Sequence, residues 1–259
     1  MKELRKHGEQ PYEIALIHGG PGAQGDMYPM AKHLSSIMGV LEPIQTKSSI
    51  DKLMNQLRDI IEKNAVKPVV MIGHSWGSWL SIIFAAENSL LVKRLILIGC
   101  APLESKYAKD IYKTRLNRLT DIEKKKFTSL IESLNYSDNM ENIAELFELF
   151  KKTDSYETIT VKEDMKFSLE LHNLIWSEAE KLRKTGQLLD YVDRIVCPIT
   201  IVHGKYDPHP AEGVIKPLKE RCRDVNLIVL EKCGHTPWIE KYAKREFYAL
   251  LEREISADS

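Results

Sequence analysis

The chain has 259 residues, long enough for one large α/β core with an inserted helical segment and too short for two ordinary enzymes joined end to end. Lysine plus arginine equals aspartate plus glutamate at 37 each, so no net field draws the protein to nucleic acid or an anionic membrane, and the expected partner is a small molecule. The start MKELRKHGEQPYE has no apolar signal core and no stretch approaches the ~18 uninterrupted apolar residues of a membrane span, so a cytoplasmic location is expected, and a homo-oligomer is compatible with the composition.

In chain order, EIALIH (13–18) reads as the first strand and runs into the turn His18-Gly19-Gly20-Pro21-Gly22. A helix is predicted over 27–37, a strand over 38–44, a helix over 49–64, a strand over 68–74, a helix over 76–88 and a strand over 94–99. After a long interruption come a strand over 198–204, a helix over 211–222, a strand over 226–231 and a last helix over 237–255. The strands are apolar at consecutive positions, the mark of strands covered on both faces. Their alternation with helices predicts an α/β fold with about six mostly parallel strands. The interruption, 101–189, is charged, strand-poor and helix-prone, with amphipathic pieces at 141–152 and 165–184. A plain crossover needs only about a dozen residues. A helical cap over 101–189, inserted into a core of 1–100 and 190–259, is therefore expected.

Gly73-His74-Ser75-Trp76-Gly77 fits G-x-S-x-G where the strand 68–74 turns into the helix 76–88. A nucleophilic serine needs such a sharp strand-to-helix turn, and the helix start offers free N–H groups to a developing oxyanion. The backbone N–H groups of Gly20 and Trp76 are the expected oxyanion donors. Serine also needs an imidazole to take its proton and a buried acid to orient that imidazole. His235 follows the last strand and Asp207 the strand before it, giving the chain order Ser, Asp, His. Among the other histidines, His7, His33 and His172 read as surface positions, and His74 and His203 as bracing neighbours of the motifs. His209, two residues beyond Asp207, is the competing base. Cys100, Cys197, Cys222 and Cys233 form no CxxC pair, so free thiols are expected; no metal site is read and no cofactor is called for.

With HGGPG and G-H-S-W-G-S on these strands, the chain resembles the α/β-hydrolase superfamily, and within it the proline iminopeptidase group. The resemblance spans the core and implies the α/β-hydrolase fold, with Ser75, Asp207 and His235 as a catalytic triad and Gly20 and Trp76 as the oxyanion hole. It also implies a cap glutamate that recognises a substrate amine, for which Glu178 is the candidate. Trp176 and Trp238 are candidate pocket walls. The segment 41–49 lacks the Asp-Gln-Arg-Gly stretch usual in iminopeptidases, and the short N-terminus leaves no room for the opening antiparallel strands. Hydrolysis of a small ester through an acyl-enzyme is thus the expected function. The alternatives are an aminopeptidase or amidase, lyase or cofactor-free oxygenase chemistry on the same residues, and a non-catalytic ligand-binding module.

Overall fold

In the computed structural model, which describes residues 3–134, 139–160 and 166–256, the apolar runs pair into a seven-stranded sheet. Its strands are β1 (Leu4–His7), β2 (Tyr12–Ile17), β3 (Gly39–Pro43), β4 (Val69–His74), β5 (Val92–Ile98), β6 (Ile199–Gly204) and β7 (Val225–Leu230), in the order β1-β3-β2-β4-β5-β6-β7. From β3 to β7 every pairing is parallel, so the carboxyl ends of six strands share one rim. The sheet therefore has one strand more than expected. β1 pairs antiparallel with β3, with Arg5 opposite Glu42 and His7 opposite Val40. This strand has no apolar pattern because what secures it is polar: His7 Nε2 bonds the fully buried Glu42 carboxylate at 2.8 Å, and Arg5 lies 3.7 Å from it.

Two apolar layers flank the sheet. One holds α2 (Ile50–Asn64), α3 (Trp76–Glu87) and α10 (Glu212–Arg221); the other holds α1 (Tyr28–Leu34) and α11 (Lys244–Ser256). In α2, Leu53, Met54, Leu57, Ile60 and Ile61 recur every three or four residues, so one stripe is buried. Each such burial stabilises by roughly 1.5–3 kcal/mol. Helix α3 is buried on nearly every side, as its continuous run WGSWLSIIFAA demands.

Between β5 and β6 lie α4 (Ser105–Ala108), α5 (Ile111–Asn117), α6 (Asp121–Ser133), α7 (Met140–Asp154), α8 (Leu169–Thr185) and α9 (Gln187–Val192). Leu119, Phe127, Leu130, Leu146 and Leu149 give α6 and α7 a small core of their own, while Ile175, Ala179, Leu188 and Val192 of α8 and α9 join the main core beside α3. The helix expected over 165–184 starts later. Met165 lies outside the described residues, Lys166–Phe167 pair antiparallel with Ala23–Gln24, and Ser168 Oγ caps α8 through Leu171 N–H. The helix expected over 237–255 is divided into a 3-10 turn, Pro237–Ile239, and α11, because Glu240 is extended and bridges to Thr158. Among the described residues no helix is long and apolar enough to cross a membrane.

Candidate active site

At the end of β4 the chain turns into α3 through Ser75, which has φ 52° and ψ −118°. For a non-glycine residue that conformation costs about 1–3 kcal/mol and persists only where the surroundings impose it. Here they do. Ser75 N–H donates to the Ile98 carbonyl at 2.9 Å, and a Cβ at Gly77 would run into the Ile17 carbonyl, so only glycine lets the start of α3 lie against the end of β2. Ser75 is half-buried at the carboxyl rim of the sheet.

His235 lies on the loop after β7 and Asp207 on the loop after β6. His235 Nδ1 bonds Asp207 Oδ2 at 2.8 Å, with the carboxylate fully buried. Two observations place His235 beside the serine turn. A Cβ at Gly99, next to the Ile98 that holds Ser75, would sit 3.0 Å from His235 Nδ1, and the His74 ring, adjacent in sequence to Ser75, reaches the His235 carbonyl through Nε2 at 3.2 Å. Burial alone would raise the pKa of Asp207, but the imidazoles of His235, His209 and His203 gathered around it hold its carboxyl well below the ordinary value.

His209 bonds the same carboxylate, on the other oxygen: Nδ1 lies 2.7 Å and the backbone N–H 2.9 Å from Asp207 Oδ1. The two imidazoles expected to compete for Asp207 therefore share it. His203 braces this loop, with Nε2 2.7 Å from the His209 carbonyl.

The turn after β2 is anchored from two sides. Gly20 has φ +32°, open to glycine and rare for other residues, and its carbonyl accepts from Ala23 N–H at 2.8 Å. Asp26 Oδ2 accepts from Gly19 N–H at 3.0 Å and faces His74 Nδ1 at 3.1 Å. On the other side lies Gln45, buried, which sequence reasoning missed. Its side-chain amide donates to the His18 carbonyl at 2.9 Å while its Oε1 accepts from Trp76 Nε1 at 2.9 Å, tying the glycine turn to the start of α3. Gln45 N–H donates to His18 Nε2 at 3.2 Å, and burial pushes the His18 pKa down. The available signal was the position of Gln45, just past the end of β3 and on the same rim. Trp76, as the first residue of α3, has an N–H without an intrahelical acceptor.

The pocket candidates separate. Trp176 is half-buried and stacks between His172 and Trp79, at 6.2 and 5.9 Å. Trp238 is 1 % exposed and packs on His74 and Phe247, so it is a core residue beneath the histidines and not a pocket wall. Glu178 is exposed, and its carboxylate accepts from Ile50 N–H at 2.8 Å at the start of α2, where a helix favours an anion. His172, expected at the surface, is half-buried with Nδ1 3.2 Å from the Pro21 carbonyl, and burial lowers its pKa. Cys233 is buried and its thiol pKa is pushed up, which disfavours a reactive thiolate.

A family model described as alpha/beta hydrolase fold matches residues 14–242. A proline iminopeptidase of Saccharolobus solfataricus is 23% identical over 262 residues, covering 88% of this chain and 80% of that protein. Among solved structures, VinJ superposes with a TM-score of 0.68 at 15% identity, covering 98% of this chain and 94% of its own. Proline iminopeptidase of Mycobacterium smegmatis superposes with a TM-score of 0.66 at 14% identity and the same two coverages, 98% and 94%.

Proposed function

Because the chain belongs to the alpha/beta-hydrolase fold family, we propose that it is a serine hydrolase that cleaves a small ester through an acyl-enzyme on Ser75. The observation that carries this reading is the 2.8 Å bond between His235 Nδ1 and the buried Asp207, at the same rim as the strained Ser75 turn. A carboxylate only accepts, so Nδ1 of His235 carries the proton and Nε2 is left as the base. Ser75 Oγ attacks the ester carbonyl while His235 Nε2 takes its proton, and Asp207 stabilises the imidazolium. The backbone N–H groups of Gly20 and Trp76 receive the negative oxygen of the tetrahedral intermediate. His235 then gives its proton to the departing alcohol, and a water, activated by the same imidazole, releases the acid and restores Ser75.

The insertion over 101–189 acts as a cap on the core of 1–100 and 190–259, with Trp176 as the pocket wall it contributes. Two ties support that role: the ladder between Lys166–Phe167 and Ala23–Gln24, and the Ser168 N–H bond to the Gly22 carbonyl at 3.0 Å.

Action on peptides with a free N-terminus is the second reading, favoured by the HGGPG turn and the iminopeptidase relative. Against it, the carboxylate of Glu178 is engaged by Ile50 N–H. A fluorophosphonate probe should label the folded protein at Ser75, and Ser75→Ala should abolish both labelling and turnover of short acyl esters. A folded protein that stays unlabelled sinks the hydrolase reading. Cleavage of prolyl arylamides without cleavage of short acyl esters would transfer the assignment to the peptidase.

A further inference from the structure

Asp207 is bound by imidazole on both of its oxygens. Oδ2 accepts from His235 Nδ1 at 2.8 Å, and Oδ1 accepts from His209 Nδ1 at 2.7 Å and from His209 N–H at 2.9 Å. Since an ionised carboxylate has no proton to offer, both Nδ1 atoms are donors and the two rings share one tautomer. The rings lie face against face at a tilt, with centroids 4.5 Å apart and planes 33° apart. His209 is therefore a twin of the base, bonded to the same acid and packed on the base's own ring. The hydrolase reading assigns it no step.

We infer that His209 is a positioning residue for His235. The bond from Asp207 to His235 points correctly only while the carboxylate is kept from rotating about its Cβ–Cγ bond. The backbone N–H of His209 holds Oδ1 at one point; the His209 ring adds a second donor, and that pair fixes the plane from which Oδ2 meets His235. The His209 ring also limits the tilt of the His235 ring through their contact. Other charged and titratable groups around the pair are in place to keep it there. His203 Nε2 bonds the His209 carbonyl at 2.7 Å and lies 3.6 Å from Asp207 Oδ2. From the insertion, Asp154 is paired with Arg115, and its backbone carbonyl accepts from His235 N–H at 2.7 Å. A small misplacement of a base is expensive: about 1 Å can cost on the order of 100-fold in rate.

This role rests on His235 being the base, so the test has one arm that needs no activity. In proton NMR of the folded wild-type protein, two strongly hydrogen-bonded Nδ1–H resonances are expected far downfield, and His209→Ala and His209→Asn should each lose one of them. In turnover of a short acyl ester, His209→Ala should lower kcat about tenfold while KM changes by less than about twofold. His209→Asn, whose side-chain amide donates from the same δ position, should recover most of that loss. A single downfield resonance in the wild type, an unchanged kcat in His209→Ala, or an Asn variant no better than Ala would overturn the inference. If both resonances are present but neither the wild type nor any variant cleaves an ester, the positioning role falls together with the hydrolase reading, and the shared carboxylate stands as structure alone.

Discussion

Gln45 illustrates how much a single side chain can decide at this rim. Its amide donates to the His18 carbonyl and accepts from the Trp76 indole, and only a group that is donor and acceptor at once can span the two. Gln45→Ala leaves two buried partners unpaired at about 1–3 kcal/mol each, so chemical denaturation should give a loss of roughly 2–6 kcal/mol. Gln45→Glu keeps the acceptor for Trp76 but has no proton for His18, and should recover little. Legibility in the sequence was uneven at this scale. Ser75, Asp207 and His235 stood out because each follows a strand at the rim, in the chain order of the alpha/beta-hydrolase pattern. The core position of Trp238 and the helix-start partner of Glu178 were not legible, since an indole near a motif and a glutamate on a helix look alike in sequence whatever they meet.

The end of α7 and the loop carrying His235 behave as one element. Glu240, fully buried, accepts backbone N–H bonds from Gly234 at 2.6 Å, Tyr156 at 2.8 Å and Glu157 at 3.0 Å, so one carboxylate clamps the insertion to the residue before His235. Ile159 N–H to the Ile239 carbonyl and Lys241 N–H to the Glu157 carbonyl, both 2.8 Å, extend the seam. In Glu240→Gln one acceptor oxygen becomes an NH2 group facing backbone donors. Amide hydrogen exchange should then quicken together in residues 153–159 and 233–241, with the central strands unaffected; faster exchange in only one of the segments would mean that the clamp does not couple them. The elements themselves were readable from their apolar period, as in α2, where Leu53, Leu57 and Ile61 recur on one face. Strand β1 and the break at Glu240 were not, because both depend on a buried carboxylate that finds its partners across the fold.

For the molecule as a whole, buried groups that resist protonation set the acid limit of stability. His18 has its pKa lowered from the ordinary value of 6.5 by burial, and His172 is shifted the same way. The sign follows from linkage: the unfolded chain takes up protons near the ordinary value while the folded sites refuse them, so this stability is complete above that value and is lost as pH falls toward the folded value. Asp154, which Arg115 keeps below its ordinary value of 3.8 against the opposing effect of burial, adds a second loss only in stronger acid, as pH falls below that value. Thermal midpoints should thus decline between about pH 7 and about pH 5. In His18→Gln the decline should be shallower, and an identical slope in the variant would exclude His18 as a contributor. By itself the sequence determined the layered α/β class and the strand-end rim at which Ser75, Asp207 and His235 gather, because apolar period and turn chemistry are local and survive in one dimension. Tertiary structure alone decided that two histidines share Asp207, that Gln45 and Glu240 tie the loops together, and that Glu178 meets the start of α2. Those roles depend on which donor meets which acceptor across dozens of residues, and that is settled only when the chain closes and water is excluded.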